Sequence, residues 1–254
     1  MKNMPKVPSL KQLKPICQPQ SITKRGVERW YGPFYRKIDL RVTWFLLHFK
    51  GITANMITIP NLFIAGLGGW VLLIPKWWCV VLYFLVFQIW VILDGVDGEI
   101  ARYNKEKGFW GPALDILGHF FIYFNLFLPL GFKLYFESHN SLFLILSFLA
   151  GIFSNWMQLP EISKNIILYK NKFEFSSSSL EPTSSLPIKI YRIIIGPMEI
   201  SIFVIFLWLL TSYKFPNLSL ISWKIFLIFY LIIFFLSFLA NIFKMKKELS
   251  RYQF

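Results

Sequence analysis

The chain has 254 residues, 56% of them hydrophobic and 19% aromatic, with only 16% charged, a composition that excludes an ordinary soluble domain and points to a membrane protein. Its formal net charge of +14 flanks apolar runs instead of forming one stripe with stacking aromatics, so nucleic acid is not an expected partner and anionic lipid headgroups are. Cys17 and Cys79, the only cysteines, have no metal-ligand spacing and imply neither a disulfide framework nor a zinc site.

In chain order, residues 1–20 place Pro5, Pro8, Pro15 and Pro19 among lysines and read as an unstructured, lipid-facing tail. No cleavable signal is expected, because the first ~40 residues lack a short apolar core with a small-residue cleavage site. The stretch 27–49 mixes Trp, Tyr and Phe with Arg and Lys after Gly32-Pro33, as a helix lying in the membrane interface would. Residues 1–50 are thus expected to form a basic tail and interfacial helix, and 51–254 a membrane domain.

Apolar stretches follow near 52–74, 77–94, 109–132, 140–160, 188–210 and 219–243, each near the roughly 20 residues that cross a hydrocarbon core as helix. Helices are the expected spanning form, since open strands would leave backbone groups unpaired in lipid and no alternating barrel pattern occurs. The expected fold is therefore an all-α, polytopic membrane protein with six transmembrane helices and an N-terminal interfacial helix. Assigned to sides, 23 of the 27 Lys and Arg fall on one face, the exceptions being Lys76, Lys133, Lys214 and Lys224. The positive-inside bias then puts both termini in the cytoplasm. The polar segment 170–187, with "SSSS", Pro182 and Pro187, reads as a cytoplasmic loop.

The unusual stretch is "LDGVDGEIARYNKEKGFWGPALDILGH", residues 93–119. Asp94 falls about 26 Å along a helix begun at Trp77, at ~1.5 Å per residue, close to the cytoplasmic end, and the next span returns Asp115 and His119 to a similar depth. Asp94 and Asp97 share one helix face at i,i+3, and Asp115 and His119 share another at i,i+4. Three carboxylates converging at low dielectric repel one another unless protonated or bound to cations, and oxygen donors suit Mg²⁺ or Mn²⁺ shared with a substrate phosphate. Phosphoryl chemistry is the implied reaction class. Gly95, Gly98 and Ala101 leave a surface without bulk that either admits a base and pyrophosphate or only permits tight helix packing. Arg102, one turn beyond Gly98, offers a planar fork to phosphate.

These residues resemble the CDP-alcohol phosphotransferase (CDP-alcohol phosphatidyltransferase) family, whose motif runs D-x-x-D-G-x-x-A-R, eight residues, then G-x-x-x-D-x-x-x-D. Asp94, Asp97, Gly98, Ala101, Arg102, Gly111 and Asp115 fall in register, and "ITANMIT" at 52–58 is similar to the family's "TPN-x-x-T" opening, with Ala54 where Pro is usual. Beyond the first three spans the resemblance is architectural. It implies that Asp94, Asp97 and Asp115 bind metal and that Gly98, Ala101 and Arg102 contact the cytidine nucleotide of a CDP-linked donor. A phosphatidyl or phospho-alcohol group would pass to a lipid or polyol acceptor hydroxyl with release of CMP, in phospholipid biosynthesis. The resemblance also implies homodimers, although no interface is legible in this chain.

The last motif position, ordinarily Asp acting as base and ligand, is His119. Either its imidazole takes over as general base, its ordinary pKa of ~6.5 suiting proton abstraction near neutrality, or the chain is a catalytically inactive protein that still binds the nucleotide. An ion-coupled transporter is a third reading, disfavoured because its acids would spread over both halves of the chain. Lys164, Lys189 and Arg192, at the cytoplasmic ends of spans four and five, either gather around an anionic acceptor or snorkel as membrane anchors. Glu199 reads as either a paired structural acid or an acceptor-site residue, Asn155 and Gln158 as makers of interhelical hydrogen bonds, and Glu99 as meeting solvent or Arg102.

Overall fold

The computed structural model describes residues 7–19, 32–74, 76–106, 110–156, 210 and 216–249. Among them the chain is helical, without strands: α1 Leu10–Cys17, α2 Gly32–Leu46, α3 Asn55–Leu67 continued by a 3-10 turn over Gly68–Leu73, α4 Trp77–Asn104, α5 Trp110–Ser138, α6 Leu142–Trp156 and α7 Pro216–Leu249. Four stretches, Asn55–Leu73, Trp77–Asn104, Ala113–Ser138 and Leu220–Ala240, are long and apolar enough to cross a membrane, and Leu142–Asn155 is a shorter apolar helix. This is an all-α, multi-pass membrane architecture, compatible with six spans. The expected fifth span, 188–210, lies outside the described residues apart from Leu210.

One expectation fails at the N-terminus, where the tail contains a helix. Gln12 Oε1 accepts the Ser9 backbone N–H at 3.0 Å and so serves one of the donors a helix start leaves orphaned. Leu13 and Cys17, four apart, then bury one stripe against Leu40 of α2, with Leu47 and Tyr103 packed on the same cluster. Trp44 Nε1 donates to the Pro8 carbonyl at 3.1 Å, tying the start of the segment to α2. The prolines misled because Pro8 precedes the helix, where a missing N–H costs nothing, and Pro15, which lies inside it, forgoes only one helical hydrogen bond.

Helix α4 continues ten residues past the apolar run ending at Asp94, as far as the short turn expected at about 103–108. It stops only where Lys105 takes a left-handed φ of 54°, a conformation costing a non-glycine residue about 1 kcal/mol. There the Glu106 N–H reaches the Ala101 carbonyl at 2.9 Å and the Lys105 N–H reaches Arg102 O at 3.3 Å, closing the helix end. The turn delivers the Glu106 carboxylate to the Ala54 N–H at the start of α3, at 3.3 Å from each oxygen. Asn104 Nδ2 adds a bond to Ile52 O at 2.9 Å. The whole acid-bearing sequence 94–102 is therefore on one rigid helix.

The chain separates into two compact units. The first comprises the described residues up to Ala65 together with Leu85–Gly118. The second holds Gly66–Phe84 and the described residues from His119 onward. In the second unit Pro129 lies inside α5 and leaves the Asn125 carbonyl, four residues earlier, without its helical donor. Gly69 of the 3-10 turn packs against that carbonyl so closely that a Cβ would stand 1.6 Å from it. Phe127 meets Phe234 of α7 at 5.5 Å between ring centroids, and Phe153 of α6 meets Phe235 at 5.2 Å. Asn155 Nδ2 bonds Phe120 O at 3.3 Å, the interhelical role expected of it. Lys133 is buried with its ammonium 4.6 Å from the Trp223 ring centroid, so its charge rests on an aromatic face.

Candidate functional site

The site starts from two facing acids, Asp94 on α4 and Asp115 on α5. His119 follows Asp115 by one turn of the same helix, so the α5 register alone stacks imidazole and carboxylate on one side. One ligating atom from each of Asp94, Asp115 and His119 lies within 4.8 Å of the other two. Donors around one ion at ~2.1 Å sit up to ~4.2 Å apart, so this set fits a divalent cation with shifts of a few tenths of an ångström. Within the set the imidazole nitrogen is a poorer donor to a hard cation such as Mg²⁺ than the two carboxylates are.

Asp97 stands beside this trio and is not part of it. Its Oδ2 accepts the hydroxyl of Thr58 on α3 at 2.7 Å, and both Asp115 and Arg102 are within electrostatic reach. Thr58 is itself buried. Its role was missed in the sequence, although it closes the "ITANMIT" opening where a hydroxyl could have been paired with an acid. Asn55, the more prominent residue of that opening, is exposed.

Gly98, Ala101 and Arg102 lie together on α4. The Arg102 guanidinium folds back over Gly98, where a Cβ would come within 3.1 Å of Nη1 and 3.5 Å of Nη2. The small residue thus makes room for the arginine first, and the fork is laid along the helix face toward the acids. Arg102 Nε donates to the Cys17 carbonyl at 2.5 Å. Ala101 is half-buried and supplies the carbonyl of the helix-end bond to Glu106.

A second acid pair lies behind the first and was not anticipated. Glu99 does not face solvent, being only 2% exposed, and its Oε1 accepts Gln18 Nε2 at 2.5 Å. The inward face of α2 carries Asp39, Leu40 and Thr43, all buried. The Asp39 carboxylate presses on Gly95, where a Cβ would stand 2.5 Å from Oδ2. Burial first, and then the charge of Glu99, push the Asp39 carboxyl up to about 8. Burial likewise pushes the Cys17 thiol up to about 12, so Cys17 is no nucleophile at neutral pH.

The Asp39 shift has a pH consequence. An unfolded chain releases this proton near ~3.9, whereas the folded chain keeps it to about 8, so folding takes up a proton between those values. Stability from this group is fully present below the lower value and is lost as pH rises through the upper one. The thermal midpoint in detergent is expected to fall between about pH 4 and 8, and less steeply in Asp39→Asn. An equally steep fall in the variant would remove Asp39 as the source.

Lys164, Lys189, Arg192, Glu199 and Gln158 lie outside the described residues. Both cysteines are free and buried.

Residues 51–131, roughly a third of the chain, match the model of the CDP-alcohol phosphatidyltransferase family. The match contains Thr58, every motif acid, Arg102 and His119. No curated protein matches the chain.

Proposed function

We propose that this membrane protein transfers a phosphatidyl or phospho-alcohol group from a CDP-linked donor to an acceptor hydroxyl, releasing CMP. The observation that carries this reading is the convergence of Asp94, Asp115 and His119 inside the matched segment. Asp94 and Asp115, with Asp97 oriented by Thr58, hold Mg²⁺ or Mn²⁺, which when bound polarises the phosphoryl oxygens and offsets charge on the leaving nucleotide. Arg102 aligns the diphosphate. The acceptor oxygen bonds to the phosphorus distal to the cytidine, the anhydride P–O bond breaks, and CMP departs with the bonding electrons. The hydroxyl proton goes to a ring nitrogen of His119, where the neighbouring carboxylates stabilise the imidazolium.

The basic residues around the spans support a cytoplasmic site and cytoplasmic termini. They also favour an anionic acceptor, with Lys164, Lys189 and Arg192 as the side chains that meet it. The presence of His119 at an acid position favours one second reading, a protein that binds the donor without turning it over. The test is CMP release by the full chain in nanodiscs, with Mg²⁺ or Mn²⁺, from CDP-diacylglycerol and CDP-choline offered with lipid and polyol acceptors. Metal-dependent release supports the transferase. Tight donor binding without release leaves the binding protein, and neither binding nor release overturns both.

A further inference from the structure

Arg102 is held on its far side by chain lying 85 positions earlier. Its Nε donates at 2.5 Å to the carbonyl of Cys17, the last residue of α1, where the helix leaves its carbonyls unsatisfied and a cation is favoured. Gln18, the next residue, uses one amide nitrogen on two partners, Glu99 Oε1 at 2.5 Å and Arg36 O at 2.7 Å. Glu99 precedes Arg102 by three residues on α4, and its buried charge reaches the guanidinium. The anchor under both contacts is the Leu13, Cys17 and Leu40 cluster. With Nε committed to Cys17, the edge left over Gly98 is the Nη1 and Nη2 pair, which can meet a phosphate with two parallel hydrogen bonds.

We propose that Gln18 and Glu99 are positioning residues for Arg102, and that docking of α1 sets the affinity of the site for a cytidine diphosphate donor. An arginine side chain loses rotamer freedom when it meets a ligand, and fixing it beforehand removes that loss from the binding step. The N-terminal segment is then part of the donor site, although it lies outside the 51–131 match. The inference rests on the reading that Arg102 meets the donor's phosphates.

The experiment measures CDP binding by calorimetry on full-length protein with Mn²⁺ present, alongside KM and kcat for the CDP-linked donor. Gln18→Leu and Glu99→Gln are compared with the unaltered chain, each also in an Arg102→Ala background. Weakening of CDP binding by about tenfold, a matching rise in KM and a kcat within about twofold are expected for each single variant, that being the worth of one ~1.4 kcal/mol charge-assisted contact. In the Arg102→Ala background the same changes should have no further effect, since they act through the missing side chain. Unchanged CDP affinity in both single variants, or losses that simply add to Arg102→Ala, would overturn the inference. A purely structural role would lower the thermal midpoint and the active fraction while leaving KM and affinity alone. If the unaltered chain binds no CDP, the proposed function itself fails, and this inference with it. If it binds CDP and Arg102→Ala binds equally well, only the role of Arg102 and its positioning fail.

Discussion

His119→Ala is expected to lose CMP release by at least about 100-fold, while His119→Asp retains a measurable fraction. The acceptor hydroxyl must shed a proton as its oxygen bonds to phosphorus, and alanine leaves no group one turn beyond Asp115 to take it. Aspartate restores a base on the same helix face, though a shorter one. It also titrates near ~3.9 where an imidazole titrates near ~6.5, so the acid limb of the pH–rate profile should move to lower pH in His119→Asp. CDP binding should survive in both variants, because the nucleotide contacts belong to α4. Full activity in His119→Ala would remove the general-base role. Its loss together with CDP binding would indicate that the imidazole chiefly holds the metal.

Asp94→Asn and Asp115→Asn are each expected to abolish detectable Mn²⁺ binding and to reduce turnover by about 1,000-fold or more, an effect of several kcal/mol. An amide keeps the shape of the carboxylate but carries no charge to offset the ion's. The two acids come from different helices, so losing either leaves a half-site that cannot be completed by neighbours on the same turn. Thr58→Val is the graded companion. It removes the hydroxyl that orients Asp97 without touching the facing pair, and metal affinity should fall by about 10- to 100-fold. Titration of Mn²⁺ by electron paramagnetic resonance reads all three. An Asp115→Asn protein that still binds the ion normally would show that the acids are there for packing.

Much of this was legible because membranes make sequences blunt. Runs of Leu, Ile and Phe near 20 residues long have few other uses, and an acid at the end of such a run is conspicuous against them. Helix spacing accordingly pairs Asp94 with Asp97 and Asp115 with His119, and the structure brings Asp94, Asp115 and His119 together. What stayed hidden depends on partners distant in sequence. Gln18 and Glu99 are 81 residues apart and Thr58 and Asp97 are 39 apart, so no local window contains either pair. Glu99 reads as meeting solvent or Arg102; the charge of Arg102 does reach it, but its own helix offers no reason to bury it. The reason is α2, whose inward stripe of Asp39, Leu40 and Thr43 closes over that face. Helix α1 was missed since a short amphipathic repeat among prolines resembles a tail until something is present to receive Leu13.

The bond between Cys17 and Arg102 also carries a statement about time. The N-terminal helix leaves the ribosome while the arginine that it will hold has yet to be synthesised. Leu13 and Cys17 can settle on Leu40 of α2 first, but the Cys17 carbonyl has no guanidinium to accept until α4 has been made. The contact that steadies the arginine thus joins segments made 85 residues apart and cannot form before α4 does.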